Sequence, residues 1–567
     1  MLSVPSLLQY SLFLIIVIAL VKPVGGYIAR VFEGKPTFLD PLLRPLESVV
    51  YRVLRTSPKV EMDWRSYANA FLSLSLVGTL LLYALLRLQA WFPWHNNAYL
   101  TTPLTPDLAM NTAISFSTTT TWQAYGGETT MSYWSQIVGL TAQNFLAGAA
   151  GLCVGIAFIR GFARERAFVI GNFWVDLTRA VLWVLLPISL VGSLILVWQG
   201  TPSNFAPYTS AATLEGAKQV IPQGPVAALQ FIENLGTNGG GFFNANGAHP
   251  YENPTPLTNF LEMLAIVVLP ASLTYTFGCM TRRPRDGWLL FWVMFFLFTA
   301  GLAVCHLAEQ SGVPATHLAE VPGGNLEGKE TRFGIGASVL TAVTTSNGAT
   351  GSVNAAPDSL TPLGVTVPLI NMLLGEIIFG GLGTGIYSII LVALLGLFIV
   401  GLMVGRTPEY LGKVIGVREV KLIILYTLAC PAVVLLLTAL TVVSESGLAG
   451  LTTNGGAHGF TEVIFAYASC AANNGQAMAG LSANSAFFNN TTAIAMMVGR
   501  FALAIPALAL SGLFAAQRRR PPHSGAVPTD TLLFGTVVIG AAILVSALCY
   551  LPALALGPLA EQFSMVR

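Results

Sequence analysis

The sequence predicts an all-α polytopic membrane protein with ten transmembrane helices, in which four helix–pore-loop–helix repeats surround one pseudo-fourfold pore. Of its 567 residues, 54% are hydrophobic and only 10% are charged, whereas about 25% of the residues in a soluble globular domain are charged. Connections rich in lysine and arginine alternate with connections that are poor in them. The basic-poor connections also share one internal order, which indicates a fourfold repeat.

Ten apolar segments are long enough to cross a bilayer, for which a helix needs about 20 residues. The first segment has no Lys or Arg before Lys22, which is the reverse of the basic start of a secretory signal. We therefore expect an uncleaved first span with its N-terminus outside. The candidate spans are residues 7–26, 67–92, 133–159, 177–199, 258–280, 287–307, 364–405, 422–443, 488–516 and 531–556.

Lysine and arginine indicate which connections are cytoplasmic, because short cytoplasmic loops retain these residues. Residues 93–132 and 444–487 contain none, 200–257 contain only Lys218, and 308–363 contain only Lys329 and Arg332. The basic clusters are predicted to be cytoplasmic, and both termini are predicted to lie outside. Five clusters hold 21 of the 28 basic residues, at 30–65, 160–179, 282–285, 406–421 and 518–520.

The segment 364–405 is predicted to be one discontinuous crossing. The basic clusters on either side of residues 287–405 are both cytoplasmic, so the chain between them crosses an even number of times. Span 287–307 is one crossing, and a single crossing of 42 residues is too long for a continuous helix. Gly380-Gly381-Leu382-Gly383-Thr384-Gly385 interrupts it. Irregular backbone at membrane depth must line water or be buried in protein.

Each basic-poor connection contains an apolar stretch too short to span a membrane, followed by a polar stretch. The short stretches are residues 108–116, 226–235, 333–343 and 462–469, and the polar stretches are 118–123, 236–241, 344–351 and 472–476. The order predicts four half-length pore helices, each followed by a loop. We expect a first span and cytoplasmic loop at 1–66, pore repeats at 67–160, 161–281, 282–405 (with the broken second helix) and 406–517, and a last span at 518–567.

Four converging loops of this composition are predicted to form a potassium filter. Rings of backbone carbonyls replace the hydration shell of K⁺, and glycine lets consecutive carbonyls point one way. The alternative is that the clusters are ordinary outer loops or close helix contacts, but four of them on one side of the membrane favour a filter. The predicted filter residues are Thr119, Thr120, Thr121, Gln123, Thr237, Asn238, Gly239, Ala349, Thr350, Gly351, Asn473, Asn474 and Gly475.

Two charged residues within spans, Glu376 and Arg500, are candidates for the ion pathway, because ionisable groups in a bilayer usually face a cavity or a partner. Glu376 precedes the glycine-rich break and is expected to face the path under the filter. Arg500 would repel K⁺ and turn it sideways. The alternative is a structural role for both, through mutual pairing or bonds to broken-helix backbone.

Other functions lack their sequence signatures. The chain has no nucleotide-binding loop, no Asp-Lys-Thr-Gly phosphorylation sequence and no large cytoplasmic segment for either. We therefore expect no organic cofactor and no ATP hydrolysis by this chain. A net charge of only +2 does not favour nucleic acid. His249, His306 and His458 have no second ligand at metal spacing, so a metal site on these histidines is not expected.

Four motifs resemble the family of potassium-binding subunits of potassium-transporting ATPases, KdpA, which is related to the Trk, Ktr and HKT transporters. The motifs are TFLDPLLRP at residues 37–45, GTNGGGFFNAN at 236–246, GRTPEYLGK at 405–413 and GLSANS at 480–485. The resemblance implies a subunit in the bacterial inner membrane that binds K⁺ and passes it through a tunnel to a P-type ATPase partner, KdpB. That partner would use the ATP, and KdpC and KdpF would complete the complex.

The resemblance also implies a filter-flanking role for Gln123 and a gating loop at residues 380–385, with Gly380, Gly381, Gly383 and Gly385. Two loops depart from the family pattern: Thr118 to Thr121 are all threonine where Thr and Asn usually alternate, and residues 350–359 read TGSVNAAPDS. Because carbonyl ligands belong to the backbone, we expect function to survive and affinity or cation discrimination to change. The alternative function is a stand-alone K⁺ channel or an ion-coupled K⁺ transporter of the same superfamily.

Overall fold

A computed structural model describes residues 4–93, 100–312, 324–405, 407–521 and 527–565. Within these ranges, ten helices are long and apolar enough to cross a membrane, which confirms the predicted fold class. Arg406 of the fourth basic cluster and the extreme terminal residues lie outside the described residues. The spans are Val4–Phe32, Trp64–Arg87, Ser135–Ala163, Phe173–Trp198, Pro256–Thr281, Pro284–Ser311, Thr384–Val404, Val417–Val443, Ala486–Ala516 and Leu532–Met565.

Polar residues begin several spans by capping the free N–H groups of the first turn. Asp63, Thr255, Ser485 and Thr531 each accept a backbone N–H bond with the side chain. The largest difference from the sequence-based bounds is at the last span, which continues to Met565 through a kink at Gly557. Helical hydrogen bonding continues beyond the apolar run, so hydropathy underestimates the length of this helix.

Four shorter helices precede the polar loops, and we call them pore helices 1 to 4. They are Pro106–Ser117, Val226–Leu235, Gly334–Asn347 and Gly456–Ala471. The second has the predicted bounds. The other three extend beyond the apolar stretches in the sequence, and pore helix 4 begins six residues earlier, because its first turns contain glycine, histidine and threonine that an apolar window misses.

The predicted discontinuous crossing is present as two helices, Pro362–Leu373 and Thr384–Val404, separated by residues 374–383. We call residues 374–383 the gate loop. Its backbone is irregular, with positive φ angles at Gly375, Glu376, Phe379 and Gly383. Within the described residues, the span that follows a pore helix is therefore interrupted in repeat 3.

In every repeat, the span after the pore helix lies deeper in the protein than the span before it. The buried share rises from 22% to 89% in repeat 1, from 39% to 78% in repeat 2, from 39% to 61% in repeat 3 and from 33% to 67% in repeat 4. The first and last spans are 22% and 28% buried. The four inner spans therefore surround the centre, and the other six spans form the periphery.

The remaining elements lie in the connections between spans. An amphipathic helix, Asp40–Val53, follows the first span, and two short antiparallel hairpins pair Thr209–Ala212 with Lys218–Ile221 and Glu409–Tyr410 with Lys413–Val414. Short helical segments lie at Gln89–Trp91, Gly127–Thr130, Pro357–Ser359 and Glu445–Leu448. The prediction of an all-α protein did not include these two hairpins.

Candidate ion-selectivity filter

The four polar loops have the same backbone conformation. Each pore helix ends at a cap residue, and in the three residues that follow, the first and third have positive φ while the middle residue does not. Such alternation turns successive N–H groups to one side of the chain and therefore carbonyls to the other. The positive φ pairs are Thr119 and Thr121 (64° and 47°), Thr237 and Gly239 (52° and 74°), Ala349 and Gly351 (47° and 90°), and Asn473 and Gly475 (48° and 92°).

One hydrogen bond recurs in all four loops and fixes the N–H side. The N–H of the middle residue donates to the carbonyl five residues earlier in its own pore helix, which satisfies a carbonyl that the helix end would leave free. The N-to-O distances are 3.0 Å for Thr120 to Ser115, 2.8 Å for Asn238 to Glu233, 3.1 Å for Thr350 to Thr345 and 2.8 Å for Asn474 to Ser469. The carbonyls therefore face away from the pore helices.

The third residue of each loop contacts the middle carbonyl of the next loop. A Cβ added to Gly239 would lie 1.3 Å from the oxygen of Thr350, one on Gly351 would lie 2.1 Å from the oxygen of Asn474, and one on Gly475 would lie 2.2 Å from the oxygen of Thr120. In loop 1, the Thr121 hydroxyl donates to the oxygen of Asn238. The four loops therefore close into one ring, and the structure brings the predicted filter residues of all four repeats together.

Several predicted filter side chains brace the ring. Asn473 Nδ2 donates to Thr120 Oγ1 at 2.9 Å, Asn474 Nδ2 donates to the Thr345 carbonyl at 2.8 Å, and Asn238 Nδ2 donates to Asn144 Oδ1 at 3.1 Å. The all-threonine loop 1 contributes to this bracing, because its Thr120 hydroxyl accepts the hydrogen bond from Asn473 of loop 4. These amide groups therefore hold the backbone of the loops in place.

Gln123 joins loop 1 to loop 2 at the rim of the ring. Its Oε1 accepts the Gly241 N–H at 2.8 Å, and its Nε2 donates to the Gly241 carbonyl at 3.0 Å. Both polar ends of the amide are therefore used by one glycine of the neighbouring loop. Gln123 thus connects loops 1 and 2.

The gate loop contacts loops 2 and 3 of the ring directly. The N–H of Leu382 donates to Thr237 Oγ1 at 2.7 Å, and a Cβ on Gly381 would lie 3.6 Å from the Cβ of Ala349. Gly383, at φ 94°, lies against the inner span of repeat 1, where an added Cβ would be 2.0 Å from the oxygen of Gly151. The break is therefore packed under the ring and buried in protein, as irregular backbone at this depth requires.

Glu376 and Arg500 are both buried, and neither is bonded to the other among the residues that the structure describes. Glu376 Oε2 accepts the Gly381 N–H at 3.1 Å, while Gly380 lies so close that an added Cβ would be 1.9 Å from the Glu376 carbonyl. Arg500 Nη2 donates to the Ala147 carbonyl at 2.9 Å, and its guanidinium lies 5.7 Å from the Phe71 ring centre. Each of the two side chains is therefore held by a backbone group and not by a direct bond to the other.

Sequence reasoning missed Glu252, which braces the segment after loop 2. Its Oε1 accepts the N–H groups of Phe242 and Phe243, and its Oε2 accepts that of Gly247. Burial raises the pKa of the Glu252 carboxyl to about 7, although these N–H bonds lower it. A single acidic residue in an outer connection carries no pattern in the sequence, so this role was not predictable.

The expectation that His458 lacks a ligand at metal spacing is wrong. Glu462 lies four residues later on the same helical face, and the chain brings Asp358 to the same place. Both neighbours are carboxylates, whereas the spacing patterns typical of metal sites in sequences consist mainly of histidine and cysteine.

Ten apolar helices, four pore helices and a closed ring of loops define a membrane ion-transport protein of the pore-loop class. The potassium transporter TrkH from Vibrio parahaemolyticus has a similar fold, with a TM-score of 0.51 over 85% of this chain and 96% of TrkH. At 13% sequence identity, the similarity concerns the fold alone.

The family model described as "KdpA: Potassium-transporting ATPase A subunit" matches residues 11–563, and the chain belongs to this family. Relatives named potassium-transporting ATPase potassium-binding subunit are similar over their full length. The one from Granulibacter bethesdensis is 51% identical over 100% of this chain and 99% of the relative. The one from Methylorubrum extorquens is 51% identical over 98% of this chain and 97% of the relative. The one from Solibacter usitatus is 49% identical over 99% of this chain and 98% of the relative.

Proposed function

We propose that this chain is the potassium-selective binding and translocation subunit of an ATP-driven potassium uptake complex. The observation that carries the proposal is the closed ring of four loops with alternating φ angles, which directs backbone carbonyls away from the pore helices. Carbonyl rings of this kind compensate K⁺ for its lost water. In the complex, a P-type ATPase subunit would hydrolyse the ATP.

The pore helices support a cation at the ring. All four end at the loops, so that four carbonyl ends, each equivalent to about half a negative charge, converge on the same place. The middle and third residues of the loops carry no ionisable side chain. A fixed array of dipoles discriminates between cations by ligand number and field strength, and it releases the ion more readily than carboxylates would.

A cavity beside Glu376 supports a lateral exit for the ion. It has a volume of about 70 Å³ and extends from Gly375 and Glu376 to Ser388, Tyr426 and Tyr550. It lies between the helix Thr384–Val404, the first span of repeat 4 (Val417–Val443) and the last span. We place the start of the inter-subunit tunnel here, with Arg500 repelling K⁺ from the direct route through the membrane. The Kdp partners KdpB, KdpC and KdpF are proposed on the basis of the family.

We place the complex in the bacterial inner membrane, with the ring facing outward and both termini outside. Reconstitution into vesicles, of the chain alone and of the complex, tests the function. We expect K⁺ uptake only with the partners and ATP. Selective K⁺ uptake by the chain alone would support the alternative, a channel or an ion-coupled transporter, and contradict the proposal.

A further inference from the structure

A cluster of one histidine and three carboxylates lies at the start of pore helix 4, outside the filter. His458 Nε2 is 3.1 Å from Asp358 Oδ1 and 3.7 Å from Glu462 Oε1, and His458 Nδ1 is 2.8 Å from Glu561 Oε1. His458 and Glu462 belong to pore helix 4, Asp358 to the turn Pro357–Ser359, and Glu561 to the final helical turn of the last span. Three distant parts of the chain meet here.

Two carboxylate oxygens of this cluster are buried without a hydrogen-bond partner among the described residues. They are Glu462 Oε2 and Glu561 Oε2. The Glu462 residue has no exposed surface, and its Oε1 accepts a 2.9 Å bond from Asn454 Nδ2. Leaving a buried acceptor unsatisfied is costly. Even a protonated His458 supplies one positive charge to three carboxylates, so the cluster is short of a cation.

The spacing of the ligand atoms matches a tetrahedral metal ion. Nitrogen and oxygen ligands lie about 2.1 Å from Zn²⁺, which places neighbouring tetrahedral ligands roughly 3.4 Å apart. The distances from His458 Nε2 to Asp358 and Glu462 lie on either side of this value, and one ligand atom from each of the three residues falls within 4.8 Å of the others. His458 and Asp358 are 20% exposed, so an ion has access.

We propose that Asp358, His458 and Glu462 form a binding site for a divalent transition-metal ion such as Zn²⁺. His458 Nε2 and one oxygen from each carboxylate bind the ion, and water fills the remaining position. Glu561 accepts the Nδ1–H bond of His458, which is the usual outer partner of a metal-bound histidine. Imidazole favours Zn²⁺ and similar ions over Ca²⁺ and Mg²⁺. Binding releases the Nε2 proton of a protonated His458 to solvent.

A bound ion would connect the outer connection of repeat 3, the start of pore helix 4 and the end of the last span. None of these ligands lies in the filter ring, so the site is independent of the proposed potassium function. It concerns the assembly of the outer surface around loop 4.

Calorimetric titration of the purified full-length chain with Zn²⁺, in buffer that contains K⁺ and Mg²⁺, tests the site. We expect one Zn²⁺ per chain, a loss of at least tenfold in affinity in Asp358→Asn, His458→Gln and Glu462→Gln, and a 10- to 100-fold loss in Glu561→Gln, since outer partners contribute by that factor. His249→Gln is the matched control and should bind as the unaltered chain does. Unchanged stoichiometry and affinity in His458→Gln and Glu462→Gln would overturn the proposal, as would the absence of binding.

A second measurement covers variants that fold poorly. Co²⁺ in place of Zn²⁺ gives visible absorption that reports tetrahedral nitrogen and oxygen ligands, and thermal unfolding reports whether each variant is folded. We expect Zn²⁺ to raise the unfolding temperature of the unaltered chain and of His249→Gln, and to leave that of Glu462→Gln unchanged. An equal rise in all three would show that the ion binds elsewhere.

Discussion

At the third position of the four loops, Thr121 has a hydroxyl where the other loops have a glycine. The three glycines lie so close to the next loop that a Cβ would meet a backbone oxygen at 1.3 to 2.2 Å. Thr121 fits because its hydroxyl donates to the Asn238 carbonyl that it contacts. The close contact with the next loop is therefore possible in two ways: glycine has no side chain to collide with the carbonyl, and threonine forms a hydrogen bond with it.

Replacing Gly351 with alanine should weaken K⁺ binding. The new Cβ would lie 2.1 Å from the Asn474 oxygen at a φ of 90°, and strained backbone of this kind costs about 1–3 kcal/mol. That energy corresponds to about a 5- to 150-fold loss of affinity, measured as the K⁺ dependence of ATPase activity in the complex. Gly216→Ala is the control, because Gly216 has φ 83° and nothing within 4 Å of an added Cβ. Equal K⁺ dependence in both variants would refute the ring contact.

Replacing Thr121 with valine should weaken the joint between loops 1 and 2 without changing its shape. The hydroxyl bond to Asn238 is lost, at a cost of about 0.5–1.5 kcal/mol. We expect K⁺ affinity to fall by about two- to tenfold in the same titration. Thr121→Ser keeps the hydroxyl and should retain the original affinity, and a serine variant as weak as the valine variant would exclude the hydrogen bond as the cause.

At the scale of the element, the loops depend on supports outside them. The pore helices hold the N–H groups, the gate loop contacts Thr237 through Leu382, and Glu252 holds the segment after loop 2. A ring of carbonyls repels itself, so its shape has to be maintained by bonds on the outer side. This explains why the pore helices recur with the same terminal hydrogen bond in four different sequences.

Replacing Glu252 with glutamine should destabilise the segment that follows loop 2. Glutamine has one acceptor oxygen, so at least one of the N–H groups of Phe242, Phe243 and Gly247 loses its partner. An unsatisfied buried donor costs about 1–3 kcal/mol, which thermal unfolding of the purified chain would detect as a lower unfolding temperature. Glu215→Gln removes an exposed acid from the same outer connection and should have no effect. A fall of equal size in both variants would argue against the brace.

Replacing Arg500 with glutamine tests the proposed repulsion under the filter. Removing the buried charge should lower the barrier to K⁺ below the gate loop, so passive K⁺ leak through the reconstituted complex should rise and the K⁺ transported per ATP should fall. Arg332→Gln alters a partly exposed arginine of the outer surface and should leave both quantities unchanged. Unaltered coupling in Arg500→Gln would leave this residue with a structural role only.

At the scale of the molecule, each of the four repeats crosses the membrane twice, so all four have the same orientation and their loops lie on one side of the membrane. In each repeat, the span after the loop is the more buried one, so the ring is enclosed by the four inner spans. The periphery consists of the outer spans together with the first and last, and these are the surfaces available to lipid and to partner subunits.

Accessibility to a membrane-impermeant thiol reagent should follow the predicted topology. Leu214 lies in the turn of the hairpin Thr209–Ile221, on the predicted outer side, and Val53 is the last residue of the helix Asp40–Val53, on the predicted cytoplasmic side. Both residues are more than 70% exposed, and each is replaced by cysteine in turn. In intact cells we expect labelling of the first and not of the second. The six native cysteines are buried or half-buried, so the unaltered chain is the background control. The reverse pattern would invert the assigned orientation.

The spans, the broken crossing, the pore helices and the loops could be predicted from the sequence, because hydropathy, charge and helix length are properties of neighbouring residues. Four similar stretches are visible in one chain, so the four loops that meet in the ring were also predictable. The closure of the ring, the contact of Thr237 with the gate loop, the hydrogen bonds of Glu252 and the cluster at His458 became visible only in the folded chain. These depend on groups as far apart in the chain as Asn473 and Thr120. Local patterns do not report which distant side chains meet, because that is decided by how the helices pack.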